Sequence, residues 1–198
     1  MPRTIFETPI VNTLLHWLSR IILKLLGWRI ESIHPDEPRY VMVAAPHTSN
    51  WDFPYTLMVC FALKLNVHWM GKASLFPPLL KPVMLWLGGI PVNRQQPGQL
   101  VEATIEAFHN ADKLTIIIPP EGTRGRVTHW KTGFYRIAAG ANVPIALAFL
   151  DYKLKKGGIL CMFQTSGNID LDMPRIRACY SGITGKKPLQ FAENHPDR

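Results

Sequence analysis

Cysteine is scarce in this 198-residue chain: Cys60, Cys161 and Cys179 are odd in number, widely spaced and form no CxxC pair. That usage argues against a disulfide framework or a zinc site and favours a reducing compartment. Acidic side chains are also few, 14 against 22 lysines and arginines, which leaves a formal net charge of +8. A surplus of this size suits an anionic partner: nucleic acid, a phospholipid surface or a phosphorylated small substrate. Several motifs are missing outright. The seven histidines contain no HExxH, and no metal site is expected. There is no GxxxxGK(S/T), which excludes a P-loop, and Gly88-Gly89 does not continue as GxGxxG. No GxSxG elbow offers a serine nucleophile. The basic residues are dispersed, without a helix-turn-helix, zinc-finger or RRM-type pattern, so no nucleic acid is expected.

What the chain has in quantity is apolar and aromatic surface: 47% of its residues are hydrophobic, with six Trp, nine Phe and seven Met. That is enough for one domain with a substantial core, and the aromatics and methionines lean toward a lipid-facing protein. Residues 8–26 carry the clearest helical pattern. Asn12, Thr13, His16, Ser19, Arg20 and Lys24 gather on one side, and Ile10, Leu14, Trp17, Leu18, Ile21 and Leu25 cover the other. Arg20 and Lys24 interrupt the run, which falls short of the roughly 20 apolar residues of a membrane span. A signal peptide is not expected either, since no small-residue cleavage site follows. Two readings stand: a helix packed on the domain, or one lying in a headgroup layer with its apolar face down.

Strands are expected near 41, 67, 90, 115, 145 and 160, with a short one at 28–30 and helices between the earlier ones. Gly157-Gly158 reads as a hairpin-like turn, and the stretch after 163 has only weak periodicity. The fold class is therefore α/β: a single domain, 31–198, with a central mostly parallel or mixed sheet flanked by helices, preceded by an amphipathic helix within 1–30. Residues 73–87, ASLFPPLLKPVMLWL, stand apart, because three prolines break any long helix while polar content is almost nil. They read either as a pair of short core helices or as a hydrophobic surface or channel for an acyl chain. Lys81 would reach toward headgroup phosphates in the second case.

Three polar clusters fall at strand ends. Tyr40 to Ala45 is a short apolar strand ended by Pro46, and Thr48, Ser49 and Asn50 can each cap a helix beginning near Trp51. His47 then sits in a strand-to-helix loop at the carboxyl edge of the sheet, where open α/β folds place their ligands. Asp52 can hold one imidazole nitrogen and leave the other as a base. Arg94 follows the strand near 90, and Glu121-Gly122-Thr123-Arg124 follows the strand at 114–118. Arg94 and Arg124 are planar cations suited to phosphate. Gly122 permits close backbone approach, and Glu121 would hold an arginine or accept from a polyol hydroxyl. A His-Asp pair without a nucleophile points to direct activation of a substrate hydroxyl.

These clusters resemble the glycerolipid acyltransferase family, the lysophosphatidic acid acyltransferase-like enzymes. His47 to Asp52 is similar to the family's H-x4-D motif, Gly88 to Arg94 to its second, Glu121 to Arg124 to its third and Val143-Pro144-Ile145 to its fourth. The resemblance covers about residues 40–150. It implies an O-acyltransferase without cofactor, moving a fatty acyl group from an acyl-CoA or acyl carrier protein thioester to a hydroxyl of a lysophosphatidate-like acceptor. His47 and Asp52 would be catalytic, and Arg94, Glu121, Gly122, Thr123 and Arg124 would bind the acceptor phosphate. Leu75, Phe76, Leu79, Leu80, Met84 and Trp86 would guide the acyl chain. The expected setting is the cytoplasmic face of a membrane, peripheral or monotopic, reached through residues 8–26. Rival readings are a transferase or thioesterase acting on a non-phosphorylated acceptor, and a non-catalytic lipid-binding module.

Overall fold

The computed structural model describes residues 3–92 and 96–191. Seven strands form one sheet: β1 (Arg29–Ile30), β2 (Arg39–Ala45), β3 (His68–Lys72), β4 (Gly89–Val92), β5 (Leu114–Ile118), β6 (Ile145–Asp151) and β7 (Lys156–Phe163). Their order is β1-β7-β6-β2-β5-β3-β4. Every pairing is parallel except β6 with β7. Six helices accompany them: α1 (Pro9–Leu25), α2 (Asp52–Ala62), α3 (Lys81–Trp86), α4 (Pro97–His109), α5 (Gly133–Ala141) and α6 (Ile169–Ala178). The sheet is the mixed α/β arrangement expected from the alternation of short apolar runs with amphipathic ones.

Both faces of the sheet are covered, which is why β2, β5 and β6 read as continuous apolar runs. On one face Val41, Val43 and Ile116 pack with Phe134, Ile137 and Ile176 from α5 and α6. On the other, Met42, Ile117 and Ala146 pack with Phe61 of α2, and α1 and α3 lie over the same cluster through Val11, Leu15, Met84 and Leu85. The register Val43↔Ile118 and Ala45↔Phe149 brings the carboxyl ends of β2, β5 and β6 to one edge.

Three local expectations change. The turn expected at Gly157-Gly158 falls earlier, between Asp151 and Lys156, with Lys155 in the left-handed region at φ 50°. The two glycines belong to β7 and serve close approach: a Cβ on Gly158 would lie 2.2 Å from the Glu31 carbonyl oxygen. The weakly periodic stretch contains α6, capped by the Asn168 side chain, which accepts from the amides of Asp170 and Leu171. In 73–87 the prolines leave one 3-10 turn, Ala73–Leu75, and the six-residue α3.

Helix α1 is turned outward. Its buried residues are His16, Ser19 and Leu23, whereas Ile10 (77% exposed), Leu14, Trp17, Ile21 and Leu25 (81%) face solvent. Two inward polar side chains are tied to backbone: Asn12 Nδ2 donates to the Phe6 carbonyl at 2.7 Å, and His16 Nδ1 bonds the Phe61 carbonyl at 3.0 Å, while Asn12 Oδ1 has no hydrogen-bond partner among the described residues. Among the described residues, no helix is long and apolar enough to cross a membrane.

Candidate active site

β2 ends at Ala45, and the next two residues carry the chain over the sheet edge to His47. His47 Nδ1 lies 3.4 Å from Asp52 Oδ2. The same oxygen accepts the backbone amides of Thr48 (2.7 Å) and Ser49 (2.8 Å), so Asp52 closes the loop on which His47 stands. None of Thr48, Ser49 and Asn50 is the N-cap of α2. That position falls to Trp51, and only Ser49 contributes, its Oγ accepting from the Trp51 amide at 3.2 Å. Capping is replaced by Asp52 reaching back to the preceding amides, a first-turn carboxylate at the positive end of the helix.

Asp52 is almost fully buried, at 3% exposure. Its other oxygen, Oδ1, accepts from the Tyr152 hydroxyl at 2.8 Å. Sequence reasoning missed Tyr152, a hundred residues downstream; the signal available was its place just past the end of β6, on the same edge as His47. Burial, then the neighbouring Asp52 charge, raise the Tyr152 hydroxyl above the ordinary phenol range, so it stays a donor. Nδ1 is the His47 ring nitrogen that faces Asp52, and the His47 side chain is a quarter exposed.

The loop after β5 stands beside this pair. Glu121 is 2% exposed, and its Oε1 accepts the His47 amide at 3.1 Å. It thus braces the His47 backbone, where an arginine or polyol hydroxyl had been expected as its partner. Its Oε2 is buried with no hydrogen-bond partner among the described residues. Burial is the main cause that raises the Glu121 carboxyl to about 7. Gly122 takes φ 64°, with Lys131 packed so closely that a Cβ would lie 3.0 Å from its side chain. Thr123 and Arg124 are exposed, and the Arg124 guanidinium donates to the Asn50 side-chain oxygen. Arg94 lies outside the described residues.

Two cavities open at this edge. A crevice of about 30 Å³ beside His47 and Asp52 runs between the sheet and α2, lined by Met42, Ala44, Val59, Cys60 and Ile159. A cleft of about 710 Å³ lies past the ends of β4 and β5, bordered by Ile118, Gly122, Lys131 and Arg136. The second is the size of ligand-binding clefts and the first admits little more than a water. The residues expected to guide an acyl chain line neither of these two cavities. Leu75, Leu79 (89% exposed), Leu80 and Trp86 are at the surface, Met84 is half-buried, and Phe76 is buried against Trp69. No cluster of metal-ligating side chains occurs among the described residues.

Residues 29–147, more than half of the chain, match the model of the Acyltransferase family. The fold is similar to a crystal structure of the 1-acyl-sn-glycerophosphate (LPA) acyltransferase PlsC from Thermotoga maritima. The TM-score is 0.58, at 14% identity over 85% of this chain and 76% of that one. No curated protein sequence matches the chain.

Proposed function

Because the chain belongs to the Acyltransferase family, we propose that it transfers a fatty acyl group from a thioester donor, acyl-CoA or acyl carrier protein, to a hydroxyl of a lysophosphatidate-like acceptor. The observation that carries this reading is the His47–Asp52 pair at the sheet edge, with Asp52 held from both sides and the His47 side chain partly exposed. Asp52 fixes the tautomer, and His47 Nε2 takes the acceptor hydroxyl proton as the oxygen attacks the thioester carbonyl. The imidazolium returns that proton to the departing thiolate, and no acyl-enzyme forms. The amides of His47, Thr48 and Ser49 are occupied by carboxylates, so the donors for the oxyanion must come from elsewhere. The loop after β5 supplies candidates: the Thr123 and Arg124 amides make no hydrogen bond among the described residues. Arg94 and the Arg124 guanidinium take the acceptor phosphate in this reading, with Glu121, Gly122 and Thr123 shaping the loop that presents Arg124.

The protein works on a membrane surface, at the cytoplasmic leaflet, through the outward stripe of α1. An apolar stripe of this width left exposed while polar side chains are turned inward marks a surface suited to another apolar phase. Leu75, Leu79, Leu80 and Trp86, above the same cluster as α1, meet the acyl chain at that surface instead of in an enclosed channel.

The test is thiol release from acyl-CoA in the presence of lysophosphatidate, glycerol phosphate, other lysolipids and sugar alcohols. Release should depend on a phosphate-bearing acceptor. In His47→Ala it should fall by about a hundred- to ten-thousandfold, the span of a lost general base, with circular dichroism unchanged. Near-normal turnover in that variant removes the mechanism, and release without any acceptor shows a thioesterase.

A further inference from the structure

The segment after α6, residues 184–190, crosses the same edge and is pinned at both ends. Ile183 and Phe191 are buried in the cluster under α5 and α6, with the Phe191 ring against Trp130. Between them, three hydrogen-bonded ties join the segment to the three loops of the site. The Tyr152 amide donates to the Thr184 carbonyl at 2.9 Å, and the Lys187 amide donates to Thr48 Oγ1 at 3.2 Å. With its amide assigned in the orientation that satisfies both neighbours, the Gln190 side-chain nitrogen donates to the carbonyls of Thr48 (2.9 Å) and Arg124 (2.7 Å). Gly185 lies so close that a Cβ would sit 2.8 Å from Thr48 Oγ1. The strap therefore touches the loops bearing His47, Tyr152 and Arg124, although it lies wholly beyond the residues that match the family.

It also brings charge. The Lys186 ammonium stands 5.5 Å from the centre of the Trp51 ring and 5.3 Å from that of Tyr152, next to the residues that flank and hold Asp52. Two ring faces restrict an otherwise free side chain, so the cation is placed in advance. Lys187 follows it, and Arg124 is joined to the strap through Gln190. Among the described residues no carboxylate forms an ion pair with Lys186, Lys187 or Arg124. The Arg124 guanidinium itself donates to the neutral Asn50 side-chain oxygen. An exposed cation held in place without a carboxylate partner suits a phosphate.

We propose that Lys186 and Lys187, carried by the strap along the edge where His47 stands, bind a phosphate ester of one of the two substrates, acceptor or donor. The proposal rests on the acyl-transfer reading for its setting but not for its binding test. In the full chain, the double variant Lys186→Gln, Lys187→Gln should raise the KM for lysophosphatidate or for acyl-CoA by about tenfold, the scale of one charge-assisted contact. The kcat should stay within about twofold, since neither lysine touches the reacting atoms. Whichever KM moves names the source of the phosphate. Unchanged KM for both substrates overturns the proposal.

Binding without turnover is followed by tryptophan emission, with Trp51→Phe assigning the signal to the ring beneath Lys186. Glycerol 3-phosphate and coenzyme A are the probes, with glycerol and pantetheine as their phosphate-free counterparts. One phosphate-bearing probe should bind the parent protein and lose about tenfold in the double variant, while its counterpart is unaffected. If the variant weakens both members of a pair alike, or neither probe binds the parent, the lysines are structural and the proposal is wrong. A protein that binds a probe in this way but shows no acyl transfer with any acceptor disproves the enzymatic reading and leaves the strap site standing.

Discussion

Asp52 accepts from two backbone amides on one oxygen and from a phenol on the other, which leaves it no rotational freedom. The Tyr152 bond is the one side-chain tie in that set, and removing it tests how far catalysis depends on holding the carboxylate still. Tyr152→Phe should lower kcat/KM roughly tenfold, the value of a hydrogen bond to a charged group. The loss should appear in kcat, because the ring and its packing against Trp28 and Tyr55 remain. A change confined to KM would show that Tyr152 touches substrate. Glu121 gives a second residue-scale test. Its carboxyl is raised to about 7, so the folded protein holds that proton more tightly than the unfolded chain does. The resulting stabilisation is complete below the ordinary glutamate range near 4.5 and is lost as pH climbs through about 7. Glu121→Gln keeps an acceptor for the His47 amide and removes the titration. Compared with the parent, it should therefore gain stability between about pH 5 and pH 8, by on the order of 3 kcal/mol at most. Urea unfolding at the two pH values reads this difference directly, and a constant offset would refute it.

At the scale of elements, α1 is the informative case. Its two faces were legible in the sequence, but not which of them the body would take, because periodicity separates sides without assigning them. The deciding fact is long-range: Phe61, 45 residues away, offers a carbonyl to His16. Replacing Leu14 and Ile21 with aspartate should therefore leave the melting temperature nearly unchanged, since both are already in solvent. The same double variant should lose flotation with anionic vesicles by at least tenfold, because each such side chain contributes about 1.5–3 kcal/mol when it enters an apolar phase. A fall in melting temperature without loss of flotation would mean that the stripe belongs to the core. Helix α6 failed to show itself for the opposite reason. It is only ten residues long, carries Pro174 inside it, and buries chiefly Ile176, with Tyr180 just beyond its end. The four-residue spacing of that pair was the signal, hidden by the charged residues around it.

For the whole molecule, what could be read was whatever recurs at short range. Apolar runs marked β2, β5 and β6, and the polar clusters after β2 and β5 marked the edge that carries the His47–Asp52 pair; the parallel register brings those clusters together. What could not be read depended on meetings between distant segments. Tyr152, the strap at 184–190 and the bracing of the His47 amide by Glu121 each join residues thirty or more positions apart. Surface placement was equally hidden, since Leu79 in water and Phe76 in the core belong to one proline-rich run.

The pairing of Val43 with Ile118 has an outcome that no side-chain inventory conveys. A strand alternates sides with every residue, so the distance from Tyr40 to His47 is a count, and adding or deleting one position there would send the imidazole across the sheet with its chemistry intact and its target gone. In the proposed mechanism, spacing ahead of this loop thus counts as much as the identity of the ring.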